Sequence, residues 1–172
     1  MLLTAFGSEP QHHQDCCVAI SRPLLESLVR ALPRNPALVV SIGSGTGLLE
    51  AALQCVAGES LDLRGVEVSA GVNKYLAEED IITVNGTWDL FAGAASADAW
   101  LFVYPREAHL IARYISQLGH GTKPHKIIWL GPKMDWPEYE AVLLSSRFAR
   151  ISVMKDNDVM APYEMLCTAE RT

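Results

Sequence analysis

Apolar and polar positions along this chain switch repeatedly between two periods. Residues 1–15 are polar and aperiodic. From about Cys16 the apolar positions Val18, Leu25, Leu28, Val29 and Leu32 recur at helical spacing. Pro23 suits a first helical turn there, and Pro33 ends the pattern. Ala37 to Ile42 is a short apolar run rich in β-branched residues that passes directly into Gly43. Such a run predicts a strand covered on both faces, as in a parallel sheet. A helix is expected over 48–57, with Leu49, Ala52, Leu53 and Val56 on one face.

The alternation continues with a strand at 61–68, a short helix at 70–79 and a strand at 81–84. Residues 89–97, with Gly93 and several alanines, predict a weak helix or loop. A strand over 99–104 is stopped by Pro105, and a helix over 106–118 turns Leu110, Ile111, Tyr114, Ile115 and Leu118 inward. A turn-rich stretch, a strand at 126–130 and a helix at 135–147 follow. Strands at 149–154 and 164–169 flank a polar loop with Asp156, Asn157, Asp158 and Pro162. That loop is too short for a parallel crossover, so the two strands are expected to pair antiparallel. These elements predict a doubly wound α/β fold: a mostly parallel seven-stranded sheet with a C-terminal antiparallel hairpin and helices on both faces.

Composition narrows the classes of function. Of 172 residues 49% are hydrophobic and 20% charged, enough apolar material for a sizeable core and unlike a disordered tail. Twenty acidic and fourteen basic residues leave a net charge of −6, which argues against broad electrostatic binding to nucleic acid or anionic lipid. Charges interrupt every apolar run before it reaches membrane-spanning length, and the first residues lack the basic start of a signal peptide. Cys16, Cys17, Cys55 and Cys167 show no disulfide-framework spacing. A cytoplasmic, reducing compartment is therefore expected.

The clearest chemical signal is the run Val39-Val40-Ser41-Ile42-Gly43-Ser44-Gly45-Thr46-Gly47-Leu48. A buried strand ends in G-x-G-x-G and a helix opens at once. Glycines there permit positive φ and let a ligand approach the backbone, while free N–H groups at the helix start suit polar ligand atoms. Twenty residues past Gly47 the next strand ends at Glu67, where a carboxylate can accept hydrogen bonds from both hydroxyls of an adenosine ribose. The dinucleotide fingerprint would need a sixth-position glycine, and Leu48 stands there.

On these residues the chain resembles class I S-adenosylmethionine-dependent methyltransferases, from about Leu38 to Ala169. The resemblance implies S-adenosylmethionine as cofactor. Gly43, Ser44, Gly45 and Gly47 would line its methionine and ribose end, Glu67 would hold the ribose hydroxyls, and Val68 would lie against the adenine. Two positions depart from the family pattern. Ser41 stands where many members carry an acid, and Gly86-Thr87-Trp88 where many place an aspartate on the adenine amino group. Thr87 can supply a hydroxyl instead. Trp88 fits either a stack on the purine or a core position under the sheet.

The fourth strand of this fold faces the transferred methyl group, which makes Tyr104 a candidate to orient a nucleophile and Arg106 a candidate grip on an acidic group. Val103-Tyr104-Pro105-Arg106 does not match the Asn/Asp-Pro-Pro-aromatic pattern of enzymes that methylate nucleic-acid amino groups. His13, with His12, is the candidate base, since the resemblance implies an N-terminal segment that closes over the pocket. His12 with Cys16 and His13 with Cys17 have helical i, i+4 spacing, but no further ligand pair completes a zinc site, and no metal is expected. His109, His120 and His125 read as surface residues, and the basic residues as a solvated face. The expected organisation is a helical lid over residues 1–36 and a cofactor-binding domain over 37–172. The expected function is methyl transfer to a small molecule or protein side chain, the pocket being completed by the N-terminal segment or a partner subunit. The alternatives are a catalytically inactive methyltransferase-like subunit that binds a partner protein, and a nicotinamide-dependent oxidoreductase.

Overall fold

The computed structural model describes residues 1–33, 36–155 and 157–172. A hairpin of β1 (Gln11–His13) and β2 (Cys16–Ile20) precedes helix α1 (Arg22–Ala31). Then come β3 (Ala37–Ile42), α2 (Leu48–Ala57), β4 (Leu61–Glu67), β5 (Ile81–Thr83), β6 (Ala99–Val103) and α3 (Ala108–Leu118). The chain continues through β7 (Lys126–Pro132), α4 (Trp136–Leu144), β8 (Arg150–Val153) and β9 (Glu164–Glu170). Seven strands form one sheet in the order β5-β4-β3-β6-β7-β9-β8. The first five of these strands run parallel, and β9 is antiparallel to both neighbours. The doubly wound sheet with its late antiparallel hairpin is thus observed.

Strand periodicity sorts the core into two halves. Val39 and Leu101 point to the face covered by α1 and α2, where Leu24, Leu28, Leu49 and Leu53 are buried. Val40, Trp100 and Trp129 point to the face covered by α3 and α4, against Ile111, Tyr114 and Tyr139. The connection after β3 runs to one face and the one after β6 to the other. Because β3 and β6 are neighbours, a crevice opens between their C-terminal ends, the switch point where ligands bind such sheets.

Two expected helices are corrected. Residues 16–20 form a strand, so only α1 of the expected helical lid is α-helical. Val18, Ala19 and Ile20 are all buried, and the segment pairs antiparallel with Gln11–His13. The helix begins where Ser21 caps it, accepting the Leu24 N–H at 3.1 Å while its own hydroxyl donates to the Val159 carbonyl at 2.7 Å. Residues 70–79 hold only short 3-10 turns at Ala70–Val72 and Glu78–Asp80. The Lys74 and Tyr75 N–H groups donate to the Thr46 carbonyl at 2.9 and 3.1 Å, and the Asn73 side chain closes on Leu76, so an i→i−4 ladder has lost its donors. Asp156 of the expected polar loop lies outside the described residues. Among the described residues no helix is long and apolar enough to cross a membrane.

Leu53 is fully buried between α2 and the sheet. Leu53→Ala is expected to cost about 2–5 kcal/mol of stability, read as a lower urea midpoint at unchanged m-value.

Candidate functional site

The glycine loop takes the backbone shape its sequence requires. Gly43, Gly45 and Gly47 have φ of 80°, 58° and 80°. The N–H groups of Gly43 and Ser44 donate to the Val66 carbonyl at 2.8 and 3.2 Å, which folds the loop back over the end of β4. At the tip of β4 the Glu67 carboxylate accepts the Gly45 N–H at 3.0 Å and the Val68 N–H at 2.9 Å. A side chain at Gly43 or Gly45 would meet open space, whereas a Cβ at Gly47 would fall 2.9 Å from Asn73 Oδ1 and from Leu76 Cγ. Gly47 therefore serves packing, and the first two glycines leave room above the loop.

At Gly43 that room opens into a cleft of about 400 Å³ at the C-terminal ends of β3, β4 and β6. Of the residues singled out in the sequence, Gly43, Glu67, Val68, Gly86, Thr87, Tyr104 and Arg106 line it. Ser44, Gly45, Gly47, Trp88 and His13 do not. The Ser44 hydroxyl is buried beneath the loop beside Gly65, with no hydrogen-bond partner among the described residues. Trp88 is 67% exposed with its ring against Gly86, so the core placement fails. Asp89, His109 and Arg113 line the cleft without having been singled out for it in the sequence. Asp89 is held by the backbone and side-chain nitrogens of Asn85 at 2.8 and 2.7 Å, and Arg113 donates to the Thr87 carbonyl at 2.9 Å.

No family model matches the sequence, and no curated protein matches it. Solved structures do match. Precorrin-6y C5,15-methyltransferase from Geobacter metallireducens superposes with a TM-score of 0.68 at 8% identity, over 95% of this chain and 94% of that one. A SAM-dependent O-methyltransferase from Thermotoga maritima gives 0.67 at 14% identity, over 92% and 69%. Human N-acetylserotonin methyltransferase, crystallised in complex with SAM, gives 0.59 at 15%, over 86% and 51%. The fold is that of class I S-adenosylmethionine-dependent methyltransferases. The chain spans less than two thirds of the human enzyme and 63% of another matched structure.

Within this methyltransferase fold, Tyr104 ends the fourth parallel strand in a conformation unusual for a side-chain-bearing residue, φ 47°. Its hydroxyl donates to Glu164 Oε1 at 2.7 Å, and the same oxygen accepts the Ala19 N–H of β2 at 3.1 Å. Burial, followed by the bond to Glu164, pushes the Tyr104 phenol far above its ordinary value. It stays protonated through the neutral range and works as a fixed donor and wall. Glu164 is 1% exposed, and its Oε2 has no hydrogen-bond partner among the described residues.

The N-terminal hairpin is pinned across the loop. The Asp15 carboxylate accepts from Lys74 Nζ at 2.8 Å and the Tyr75 hydroxyl at 2.7 Å, and its carbonyl accepts the Thr46 hydroxyl at 2.6 Å. His12 meets the Tyr163 hydroxyl. His13 is half-buried, edge-on to Phe6 at 5.1 Å, with Nε2 buried and without a hydrogen-bond partner among the described residues. Burial pushes the Cys16 thiol up to about 12. The i, i+4 His–Cys pairs sit on the hairpin and not on a helix, and among the described residues no group of three metal-ligating side chains forms. His109, His120 and His125 are exposed, as expected.

Ser41 and Glu50 lie beneath the loop. Ser41, 1% exposed, donates to Glu50 Oε1 at 2.6 Å, and Glu50, in the first turn of α2, is 2% exposed. Nothing in local periodicity separates this acid from a solvated one. Burial moves its carboxyl from the ordinary 4.5 up to about 7; the Ser41 bond opposes that shift and the charge of Glu67 adds to it. The folded chain thus holds a proton that the unfolded chain releases. Stability from this group is whole below about 4.5 and is lost as pH climbs to about 7. Glu50→Gln is expected to flatten that decline, matching the parent at pH 5 and exceeding it at pH 8 in urea midpoints.

Proposed function

We propose that the cleft binds S-adenosylmethionine and that the protein transfers a methyl group from it to a small molecule or a protein side chain. The observation that carries this reading is the Glu67 carboxylate held against the Gly45 N–H, beside an open glycine loop and at the mouth of a cleft of about 400 Å³. That volume suits a ligand of nucleoside size. The SAM-dependent activities named for structural neighbours support it.

When bound, the cofactor supplies a methyl group activated on a sulfonium. The chain's own residues account for the rest. Glu67 has acceptor capacity for two ribose hydroxyls beyond the N–H groups it already takes. Val68, Gly86 and Thr87 offer a shallow, mostly apolar bed for the base, and Trp88 stands at its edge to stack on it. Ser44, Gly45 and Gly47 act by shaping the loop, their side-chain positions lying outside the cleft. Displacement at a methyl group depends on alignment, so the service of Tyr104 is positional. Its ring is fixed by the Glu164 bond, and its hydroxyl keeps its proton. Arg106 is exposed at the rim, where an acidic group of the acceptor would reach it. His13, packed on Phe6 outside the cleft, has no geometric support as the base.

A second reading, a non-catalytic subunit that binds a partner protein, draws on the exposed apolar side chains Val68 at 45%, Val72 at 41% and Trp88 at 67% in or beside the cleft.

Calorimetric titration with S-adenosylmethionine and S-adenosylhomocysteine separates the two. Micromolar binding is expected for both, and Glu67→Ala should weaken it by about 1–3 kcal/mol, the scale of lost charge-assisted hydrogen bonds. Absence of binding to the parent chain would sink the enzyme reading in favour of the partner-binding one. Undiminished affinity in the variant would sink the ribose assignment.

A further inference from the structure

We propose that the methyl acceptor is a small organic anion, an apolar body carrying a carboxylate or a phosphate, and that Arg106 and His109 hold its charged group at the cleft wall. The proposal rests on the cofactor reading given above and names the acceptor class for that same site. With the ribose on Glu67 of β4 and the base beside Gly86 and Thr87, the reactive end of the cofactor lies across Gly43, towards Tyr104 at the end of β6. The acceptor must then approach along residues 103–110, which lead from β6 into α3 and supply much of that wall. Most charges in the cleft are already committed. Glu67 takes two N–H groups and keeps its remaining capacity for the ribose. Asp89 is held by Asn85, and Arg113 is tied to the Thr87 carbonyl on the base side.

Arg106 and His109 are not committed. Both line the cleft, both are exposed, and neither has a hydrogen bond or an ion pair among the described residues. His109 stands four residues before Arg113 on α3, so the two share a helix face, with His109 one turn nearer to Tyr104. The same wall has few hydrogen-bond acceptors left. The Pro105 carbonyl accepts the Tyr139 hydroxyl at 2.6 Å, and the Tyr104 hydroxyl donates to Glu164. Glu107 also lines this stretch without an ion pair, and its charge bears on Tyr139 of α4, where it helps to raise the phenol. Val103, Pro105 and Leu110 add apolar surface. A ligand suited to this end therefore brings negative charge beside an apolar body. Two oxygens of a carboxylate or phosphate fit the paired N–H groups of a guanidinium, and an imidazole supplies one more N–H in either tautomer.

The test titrates the full chain, saturated with S-adenosylhomocysteine, with 3-phenylpropionate, its neutral amide and phenyl phosphate. Backbone amide shifts in NMR spectra give both the affinities and the residues touched. The parent should bind the carboxylate or the phosphate at least about fivefold more tightly than the amide, the range for ion pairs at a solvent-exposed rim. Shifts should centre on residues 103–110, and the tighter of the two anions names the group. Arg106→Gln and His109→Ala should each lower the preference, and together reduce it below about twofold while the affinity for the amide holds. Both side chains are exposed, so neither change opens the core. Equal affinity for acid and amide, no binding of any probe, a preference that survives the double substitution, or shifts centred elsewhere would each overturn the proposal. Bound S-adenosylhomocysteine would leave the cofactor reading intact in all four cases. Failure of S-adenosylhomocysteine itself to bind would remove that reading and the acceptor site together.

Discussion

The opposed departure of the chain from β3 and β6 is the constraint on which the site depends. Two neighbouring parallel strands that send their connections to opposite faces leave their shared C-terminal end uncovered, and no side chain is needed to hollow it out. Everything at that end is trimming on an opening that topology has made. The bonds from Gly43 and Ser44 to Val66 lay the loop back along one bank, and Tyr104 closes the other. The burial of Val39 and Val40 on opposite faces keeps β3 central, so the opening is anchored in the most protected part of the sheet.

The polar network around this opening joins remote parts of the chain. Glu164 ties the end of β6 to the N-terminal hairpin through one oxygen, and Asp15 ties the hairpin turn to the glycine loop and to Lys74 and Tyr75. Both acids are made specific by donors from separate elements. The strained Tyr104 backbone is held by that network and by its own N–H donating to the Leu130 carbonyl at 2.8 Å.

What was legible in the sequence follows from the range of the forces involved. The β3–loop–α2 unit was readable because an apolar run, three glycines and a helical stripe are local statements, and Glu67 was readable because a strand end lies at a fixed distance along the chain. Residues 16–20 misled because Val18 fits the helical series that follows it, and only pairing with Gln11–His13 makes the segment a strand. Residues 70–79 misled because their donors are claimed by Thr46, in another loop. Glu164 and Glu50 carried no readable signal. The partners of Glu164 are 60 and 145 residues away, and Glu50 occupies an ordinary helix position whose burial comes from the rest of the molecule.

The place of β9 between β7 and β8 bears on the order in which the molecule assembles. Among the described residues β8 pairs only with β9, a strand that follows it in the chain, so β8 must wait unpaired until β9 inserts. The first residue of β9 is Glu164, which receives both Tyr104 and the hairpin. A nascent or partly folded chain can therefore possess its glycine loop and the Glu67 bank while the opposite bank is still loose. Completion of the crevice depends on long-range contacts, and non-local contacts are the slower ones to form in folding. The Tyr104 bank of the crevice is fixed only once β9 is in place.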